Sequence, residues 1–320
     1  MTMKSNCVIV TGASGYIGGQ TILRLGDAGH NVIGIDIRPA PDHLKSACNR
    51  FYQEDFANEF ALSLLDQFEP RAIIHCAGTS LVGPSVTNPE RYYDNNFVKT
   101  KRMLDRLIKH EIKSRVIFSS SAAVYGEPVM TPCSELDPPL PVSPYGESKL
   151  MIEMALNSYS RAYGLDYVSF RYFNACGADP RARHGQANAA THIIARVLES
   201  MRDGKEFVLN GENYPTQDGT CVRDYIHVDD LARAHEMAIE PEIPAGVYNL
   251  GSSSGYSNRE IMDLAQKVAD KSLKFSAGPQ REGDPAVLTA ASDKFNLVSA
   301  WVPRYNIEEI IQHAWAWYTR

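Results

Sequence analysis

A tyrosine and a lysine four residues apart, Tyr145 and Lys149, have the spacing and side chains for acid–base chemistry. If the segment around them is helical, both side chains lie on one face, because positions i and i+4 are neighbours on a helix. An ammonium held over a phenol stabilises the phenolate and lowers its pKa from about 10 toward neutrality, which makes the phenol a usable base. The pair therefore indicates proton transfer on an alcohol. The same spacing also occurs in helices where the ring only packs and the amine is solvated, so the rest of the chain must decide.

The residues around the pair predict the helix that would position it. Ser143 and Pro144 are typical of an N-cap and a first helical turn, and Gly164 is typical of a helix end. We therefore predict a helix over residues 145–163, with the pair in its first two turns.

In the first half of the chain, β-branched segments alternate with helical patterns. The strand-like segments are 7–10, 32–36, 72–75, 116–119 and 167–173, with helical patterns over 17–28 and 92–110. This alternation is typical of βαβ units and a parallel sheet. We predict an α/β fold, with a Rossmann-type doubly wound parallel sheet and a smaller C-terminal α/β lobe. The sheet domain is expected over 1–175, with a later segment near 222–250 returning to it, and the lobe mainly over 176–320.

A glycine-rich loop follows the first predicted strand. Gly12, Gly15 and Gly18 have the spacing G-x-x-G-x-x-G and open a helix, which allows a tight turn and close approach of the backbone to a pyrophosphate. Asp36 ends the second predicted strand, where a carboxylate accepts hydrogen bonds from an adenosine ribose and repels a 2′-phosphate. Arg38 would favour NADP, but Asp36 stands at the strand end itself. The sequence therefore predicts NAD.

Composition excludes several classes of protein. The net charge of -6 with 22% charged residues gives no basic field for nucleic acid. No apolar run approaches the length of about 18 residues that a membrane span needs, and the first residues do not resemble a signal peptide. We expect a cytoplasmic protein that binds neither nucleic acid nor membrane. The six cysteines form no C-x-x-C pair, so we predict no metal site and no disulfide framework.

Further segments support an assignment to a family. They are 11–18, 73–78, 92–96, 118–126, 171–174, 218–228 and 281–284. With these segments in order, the chain resembles the extended short-chain dehydrogenase/reductase family and, within it, the nucleotide-sugar epimerases. The glycine loop and the Tyr/Lys pair identify only the superfamily, whereas 218–228 and 281–284 are typical of the epimerases. The serine run 119–121 argues against the sibling sugar 4,6-dehydratases, which carry Thr-Asp-Glu there.

The resemblance implies a set of residues that bind NAD. Those expected at the pyrophosphate are Gly12, Gly15, Tyr16, Ile17 and Gly18, and those along the rest of the cofactor are Asp36, Asp55, Phe56, Ala77, Gly78, Asn95, Tyr145, Lys149 and Phe173.

The resemblance also implies catalytic residues and a substrate site. The implied catalytic residues are Ser121, Tyr145 and Lys149, and the implied substrate residues are Ser121, Asn174, Thr191, Arg223, Arg281 and Asp284. Arg223 and Arg281 would meet a diphosphate as charge-assisted donors, and Asp284 a uridine ribose. Without the family context, Arg223 beside Asp224 would indicate an ordinary surface ion pair instead.

The implied activity is NAD-dependent 4-epimerisation of a UDP-sugar, interconverting UDP-glucose and UDP-galactose through a 4-keto intermediate. A homodimer is implied through the helices over 92–110 and 145–163. A UDP-pentose, a UDP-uronic acid and a UDP-N-acetylhexosamine remain alternative substrates, and a catalytically silent NAD-binding protein remains an alternative class.

The sequence departs from the family pattern at four positions. Cys221 stands where glycine is usual, Ser80 where some members have lysine, and Ala291 where aspartate is frequent. Leu288 occupies a position that gates sugar size in some members. None of these changes touches the expected proton transfer.

Overall fold

The computed structural model describes residues 6–186, 192–280 and 284–320. Its strands, in chain order, are β1 (Cys7–Thr11), β2 (Asn31–Asp36), β3 (Arg50–Gln53), β4 (Ala72–His75), β5 (Arg115–Ser121), β6 (Tyr167–Tyr172), β7 (Asn174–Cys176), β8 (Phe207–Asn210), β9 (Val222–His227), β10 (Gly246–Leu250), β11 (Gly255–Ser257), β12 (Phe275–Gly278) and β13 (Val287–Leu288).

The helices, in chain order, are α1 (Tyr16–Asp27), α2 (Asp42–Ala47), α3 (Glu59–Phe68), α4 (Val82–Thr87), α5 (Pro89–Tyr92), α6 (Lys99–Lys109), α7 (Pro144–Tyr163), α8 (Ile193–Asp203), α9 (Val228–Met237), α10 (Asn258–Ala269), α11 (Asp293–Ser299) and α12 (Ile307–Tyr318). None of the helices in the described part of the chain is long and apolar enough to cross a membrane.

The chain divides into two compact units, and the first contains the large sheet. This unit takes residues up to 125, then 139–171 and 232–248. Its seven strands lie in the order β10-β6-β5-β4-β1-β2-β3. β1 pairs in parallel with both β2 and β4, and the chain winds outward from β1 in both directions. The predicted doubly wound parallel sheet is confirmed.

Strands β1 and β4 are buried along their whole length. Helices cover both faces of such a sheet, so its central strands are continuously apolar. Ile9, Ile73 and Phe118 of the sheet share a hydrophobic cluster with Leu104 of α6 and Ile152 of α7. This packing fixes the two helices on the sheet.

The predicted helix over 145–163 is confirmed by α7. The hydroxyl of Ser143 accepts a hydrogen bond from the amide of Gly146 at 3.2 Å, Pro144 occupies the first turn, and Gly164 ends the helix with a φ of 70°. These are the capping features that the sequence indicates.

The helical pattern over 92–110 is real but not uniform. A π-helical turn, Tyr93–Val98, joins α5 to α6. A π-turn inserts one residue per turn and re-aims side chains, and such turns are frequent at functional sites. Asn95 and Asn96 lie in this turn.

The second unit comprises 126–138, 172–231 and 249–320, apart from the residues that are not described. β9 is its central strand, and β7, β11 and β13 all pair with it. Helices α8, α10 and α12 contribute to one core with Leu198, Ile261 and Ile311. The smaller α/β lobe is confirmed, and residues 222–231 belong to it because β9 is central to its sheet.

Arg115 ties residues 232–248 into the first unit. Its guanidinium is buried at the start of β5 and donates to the carbonyls of Glu240, at 2.5 Å, and Ile243. Arg24 adds an ion pair with Glu236 at 2.6 Å. The segment that returns to the first unit is therefore residues 232–248, which is shorter than the predicted 222–250. The functional roles assigned to the two domains remain predictions.

Replacing Arg115 tests this tie. Arg115→Met leaves the carbonyls of Glu240 and Ile243 without their donors, so we expect the free energy of unfolding to fall by about 1–3 kcal/mol. Urea unfolding followed by circular dichroism measures the change. Arg161→Met, at an exposed position of α7, should cost less than about 1 kcal/mol. Equal losses in the two variants would contradict the role of Arg115.

Candidate active site

The three predicted catalytic residues lie together where α7 meets the end of β5. The ammonium of Lys149 donates to the carbonyl of Ser119 at 2.8 Å and lies 5.8 Å from the centre of the Tyr145 ring. The hydroxyl of Ser121 lies near the phenol of Tyr145 and acts to lower its pKa. A serine, a tyrosine and a lysine in this contact can move a proton on an alcohol.

The ionisation of Tyr145 differs from the expectation. Burial raises the pKa of the phenol above its ordinary value, and the hydrogen bond from Ser121 opposes that rise only in part. The prediction that Lys149 lowers the pKa of Tyr145 toward neutrality is therefore wrong for the protein chain itself. The physical reason is burial, which disfavours the charged phenolate and outweighs the favourable contact with Ser121.

Lys149 is itself perturbed. Burial lowers its pKa from 10.5 to about 8, while the nearby Cys76 and Glu153 act in the opposite direction. The thiol of Cys76 accepts a hydrogen bond from the hydroxyl of Ser119 at 3.1 Å. Lys149 thus changes its charge much closer to neutral pH than an exposed lysine does.

The glycine loop packs against the residues that follow β4. Gly12 has a φ of 70°, and a Cβ added to it would lie 2.6 Å from the amide nitrogen of Ala77. A Cβ on Gly18 would lie 2.2 Å from the carbonyl oxygen of Gly12. The backbone at Gly12 and Gly18 therefore packs directly against neighbouring backbone, and neither position has room for a side chain. Gly15 caps α1, so the helix presents its N-terminus at the carboxyl ends of β1 and β4.

The remaining residues predicted at the pyrophosphate, Tyr16 and Ile17, are the first two residues of α1 and are half-buried. Amides in the first turn of a helix have no acceptor within the helix, and this turn is where a phosphate binds. The arrangement suits a dinucleotide.

Asp36 anchors the glycine loop as well as ending β2. Its carboxylate accepts hydrogen bonds from the amide of Ser14 at 2.9 Å and the amide of Arg38 at 2.8 Å. The guanidinium of Arg38 pairs with the same carboxylate at 3.3 Å, and its side chain is 58% exposed. Asp36 therefore holds the loop in shape, and its pairing draws Arg38 toward the protein.

Asp55 and Asn95 are linked through a lysine that the sequence reasoning missed. Lys99 donates to the Asp55 carboxylate at 2.7 Å and to the Asn95 side-chain oxygen at 2.8 Å. Burial acts to raise the pKa of Asp55, but the hydrogen bond from Lys99 and further donors bring it below its ordinary value. Phe56 packs its ring edge-on against His75, 4.8 Å between centres.

Asn96 is a second residue that the sequence reasoning missed. Its amide nitrogen donates to the hydroxyl of Ser148 at 2.9 Å, and its oxygen accepts from the amide of Thr79 at 2.7 Å. A Cβ on Gly78 would lie 2.9 Å from that oxygen and 3.9 Å from the Lys149 nitrogen. Asn96 thus links α7 to the loop after β4. The feature of the sequence that could have indicated this residue is its place beside the predicted Asn95.

In the second unit, part of the predicted substrate set comes together. Arg223 on β9 donates to the Asp284 carboxylate at 2.5 Å, and Asn174 on β7 donates to the carbonyl of Asp224 at 3.0 Å. Tyr214, which was not predicted, donates to Asp284 at 3.5 Å. Thr191 and Arg281 lie outside the described residues. Phe173, predicted beside the cofactor, is a buried residue of this unit and donates its amide to the carbonyl of Leu250.

A cavity of about 680 Å³ lies in the second unit beside this cluster. Tyr214 and Asp284 form part of its wall, together with Met130, Gln280 and Val287. The volume is in the range of small-molecule sites. Arg223 reaches this wall through its ion pair with Asp284.

The fold and the site define a member of a known family. Residues 8–251 match the NAD dependent epimerase/dehydratase family, and the chain belongs to that family. The chain is 40% identical over 318 residues to the UDP-glucose 4-epimerase of Halalkalibacterium halodurans, an alignment that covers 97% of this chain and 95% of that relative. The resemblance to the nucleotide-sugar epimerases is confirmed.

Solved structures agree with this assignment. The UDP-glucose 4-epimerase from Brucella ovis in complex with NAD has a TM-score of 0.91 and 35% identity, over 98% of each chain. The UDP-glucose 4-epimerase from Bifidobacterium longum in complex with NAD+ and UDP has a TM-score of 0.91 and 33% identity, over 98% of each chain.

A single methyl group tests the glycine loop. Gly18→Ala places a Cβ against the carbonyl of Gly12 and must displace the loop, so we expect NAD affinity to fall by about tenfold or more. The NAD content of the purified protein, measured by mass spectrometry, reports the change. Gly83→Ala is the matched control, because nothing lies within 4 Å of its added Cβ. Full NAD retention by Gly18→Ala would contradict the assignment.

Proposed function

We propose that this chain is an NAD-dependent 4-epimerase of UDP-sugars that interconverts UDP-glucose and UDP-galactose. The observation that carries the proposal is the contact of Tyr145 with Ser121, next to Lys149, at the end of β5. Identity of 40% to a UDP-glucose 4-epimerase over 97% of this chain supports the choice of reaction and nucleotide.

The residues of the first unit fit NAD. The close packing of Gly12 and Gly18 leaves backbone, not side chains, facing the end of β1, as a pyrophosphate requires. We assign the pyrophosphate to the glycine loop, the adenosine to Asp36, Asp55 and Phe56, and the nicotinamide end to Gly78 and Lys149. When bound, NAD would supply the acceptor and donor of the hydride at C4 of the sugar, and its positive charge would favour the phenolate of Tyr145.

Tyr145 is assigned the proton transfer. Its phenolic oxygen takes the proton of the sugar 4-hydroxyl while the C4–H bond breaks and a 4-ketone forms. The hydroxyl of Ser121 hydrogen-bonds at the same position and orients the oxygen. Tyr145 then returns the proton when the ketone is reduced on its opposite face. The sugar leaves with inverted configuration at C4 and no net oxidation.

We assign binding of the nucleoside diphosphate to the second unit. Arg223 is held by Asp284 in a charge-assisted hydrogen bond, which presents its remaining donors in a fixed direction. Binding energy taken from the nucleotide, remote from C4, allows the sugar to be loosely held and to turn. The roles of Asn174, Thr191, Arg281 and Phe173 remain predictions.

One observation concerns the choice of sugar. Leu288 on β13 lies in register with Arg223 on β9, so the position that the resemblance links to sugar size adjoins the proposed diphosphate anchor. A panel of UDP-glucose, UDP-N-acetylglucosamine, a UDP-pentose and UDP-glucuronic acid distinguishes these substrates. We expect the highest kcat/KM for UDP-glucose and UDP-galactose.

We further propose a cytoplasmic homodimer that associates through α6 and α7. Met154 and Tyr163 support this surface, because these apolar side chains of α7 are 62% and 57% exposed. Sedimentation measures the mass directly, and a monomer at micromolar concentration would contradict the dimer.

Removing one hydroxyl tests the base. Tyr145→Phe loses the group that carries the proton, so we expect turnover to fall by about 10²–10⁴-fold. NAD content and UDP affinity should stay near those of the wild type. The matched control is Tyr52→Phe, a half-exposed phenol on β3. Wild-type turnover by Tyr145→Phe would refute the assignment.

The pH profile tests Lys149. Its pKa is lowered from 10.5 to about 8, so the ammonium is present below that pH and is lost as pH rises through it. We expect kcat/KM to fall by about tenfold per pH unit on the alkaline side. In Lys149→Arg the charge persists, because an arginine does not titrate in this range, and the decline should disappear. A decline that is identical in both proteins would assign it to another group.

A further inference from the structure

A buried ion pair that the proposed reaction does not use lies one helical turn beyond Lys149. Glu153 of α7 and Arg171 of β6 are 4% and 5% exposed, and the guanidinium donates to the carboxylate at 2.7 and 3.1 Å. The hydroxyl of Ser120 on β5 donates to the same carboxylate at 2.5 Å. The Arg171 guanidinium also stacks 4.7 Å from the centre of the Tyr125 ring. The Glu153 carboxylate therefore connects α7 to both β5 and β6.

Stability alone is a weak reason for such a pair. Desolvation of two charges offsets most of their attraction, and apolar side chains of similar volume often serve as well or better. What a buried pair adds is geometry, since the guanidinium fork accepts only a narrow range of carboxylate positions. Glu153 and Arg171 therefore fix where α7 lies on the sheet.

The register explains why that position matters. Three adjacent residues of β5 contact three turns of α7: the carbonyl of Ser119 accepts from Lys149, and the hydroxyl of Ser120 donates to Glu153. Ser121, the next residue, contacts Tyr145 one turn before Lys149. Movement of α7 along the strand would break all of these contacts together.

We propose that Glu153 is a positioning residue for the epimerisation: its ion pair with Arg171 sets the register of α7 on β5 and so places Tyr145 and Lys149. This inference rests on the proposed function, but the contacts that carry it are independent of the substrate.

Glu153 also acts on Lys149 through its charge. The groups facing the ammonium are the thiol of Cys76, the neutral imidazole of His75, the phenol of Tyr145 and the carboxylate of Glu153. The carboxylate is the anionic group among them and favours the ammonium. Without it, the pKa of Lys149 falls further below its ordinary value, and the charge is lost at lower pH.

The first variant, Glu153→Gln, keeps the shape of the side chain and removes its charge. We expect kcat to fall by about tenfold or more with little change in KM, and the alkaline limb of kcat/KM to move down by about one pH unit. Glu90→Gln, at an exposed position of α5, is the control and should leave both quantities unchanged. An alkaline limb that stays in place in Glu153→Gln would overturn the electrostatic part of the proposal.

The second variant separates positioning from stability. Glu153→Leu combined with Arg171→Met removes both charges, so the free energy of unfolding should recover relative to Glu153→Gln, which leaves the guanidinium unpaired. We expect kcat to remain at least about tenfold below that of the wild type, because the register is no longer specified. Recovery of kcat together with stability would overturn the positioning role.

A measurement without turnover keeps this test distinct from the proposed function. The ¹³Cε resonance of Lys149, titrated in the purified holoenzyme and assigned with Lys149→Arg, gives its pKa directly. A wild type that converts no UDP-sugar would sink the proposed function, while a lower pKa of Lys149 in Glu153→Gln would still support the coupling of the two residues. An unchanged pKa would refute that coupling.

Discussion

The hydrogen bond from Lys149 to the carbonyl of Ser119 is the contact on which the chemistry proposed for the first unit depends. It joins the buried face of α7 to the end of β5 at 2.8 Å. Since Tyr145 lies one turn away on the same face, this contact also determines where the phenol meets Ser121. The parallel sheet gives these residues a rigid support, because the carboxyl ends of its strands lie together at the side where ligands bind.

Burial shifts the pKa values of Lys149 and Tyr145 in the directions that disfavour their charged forms. Lys149 is 6% exposed, and its pKa falls to about 8 because the charged form is poorly solvated. The same burial raises the pKa of Tyr145. Both shifts favour neutral forms, so in the proposed reaction the phenol needs added positive charge nearby to act as a base, and NAD would supply it. Under the proposed function, the cofactor would thus take part in the acid–base chemistry as well as in the redox chemistry.

Local features of the site could be predicted from the sequence. Ser143, Pro144 and Gly164 marked the ends of α7, and the glycine spacing marked the loop after β1, because capping and tight turns depend on neighbouring residues. Long-range partners could not be predicted. Lys99 and Tyr214 contact residues distant in the chain, and Asn96 acquires its role from a π-turn that apolar periodicity does not reveal.

The error on Tyr145 has the same origin. The spacing of Tyr145 and Lys149 placed both on one face, but the burial that raises the pKa of the phenol depends on tertiary packing. The pairing of Arg223 with Asp284, 61 residues apart, likewise follows from the course of the chain in the second unit. Residue types and spacing indicated candidate groups, and tertiary contacts determine which partner each group has.

The most direct test of the account is the fate of the hydrogen at C4. The purified protein is incubated with UDP-galactose deuterated at C4 in ordinary water, and the product is examined by NMR and mass spectrometry. Reversible oxidation at C4 predicts UDP-glucose that retains the deuterium at that carbon. Loss of the label to solvent, or recovery of the substrate unchanged, would contradict it.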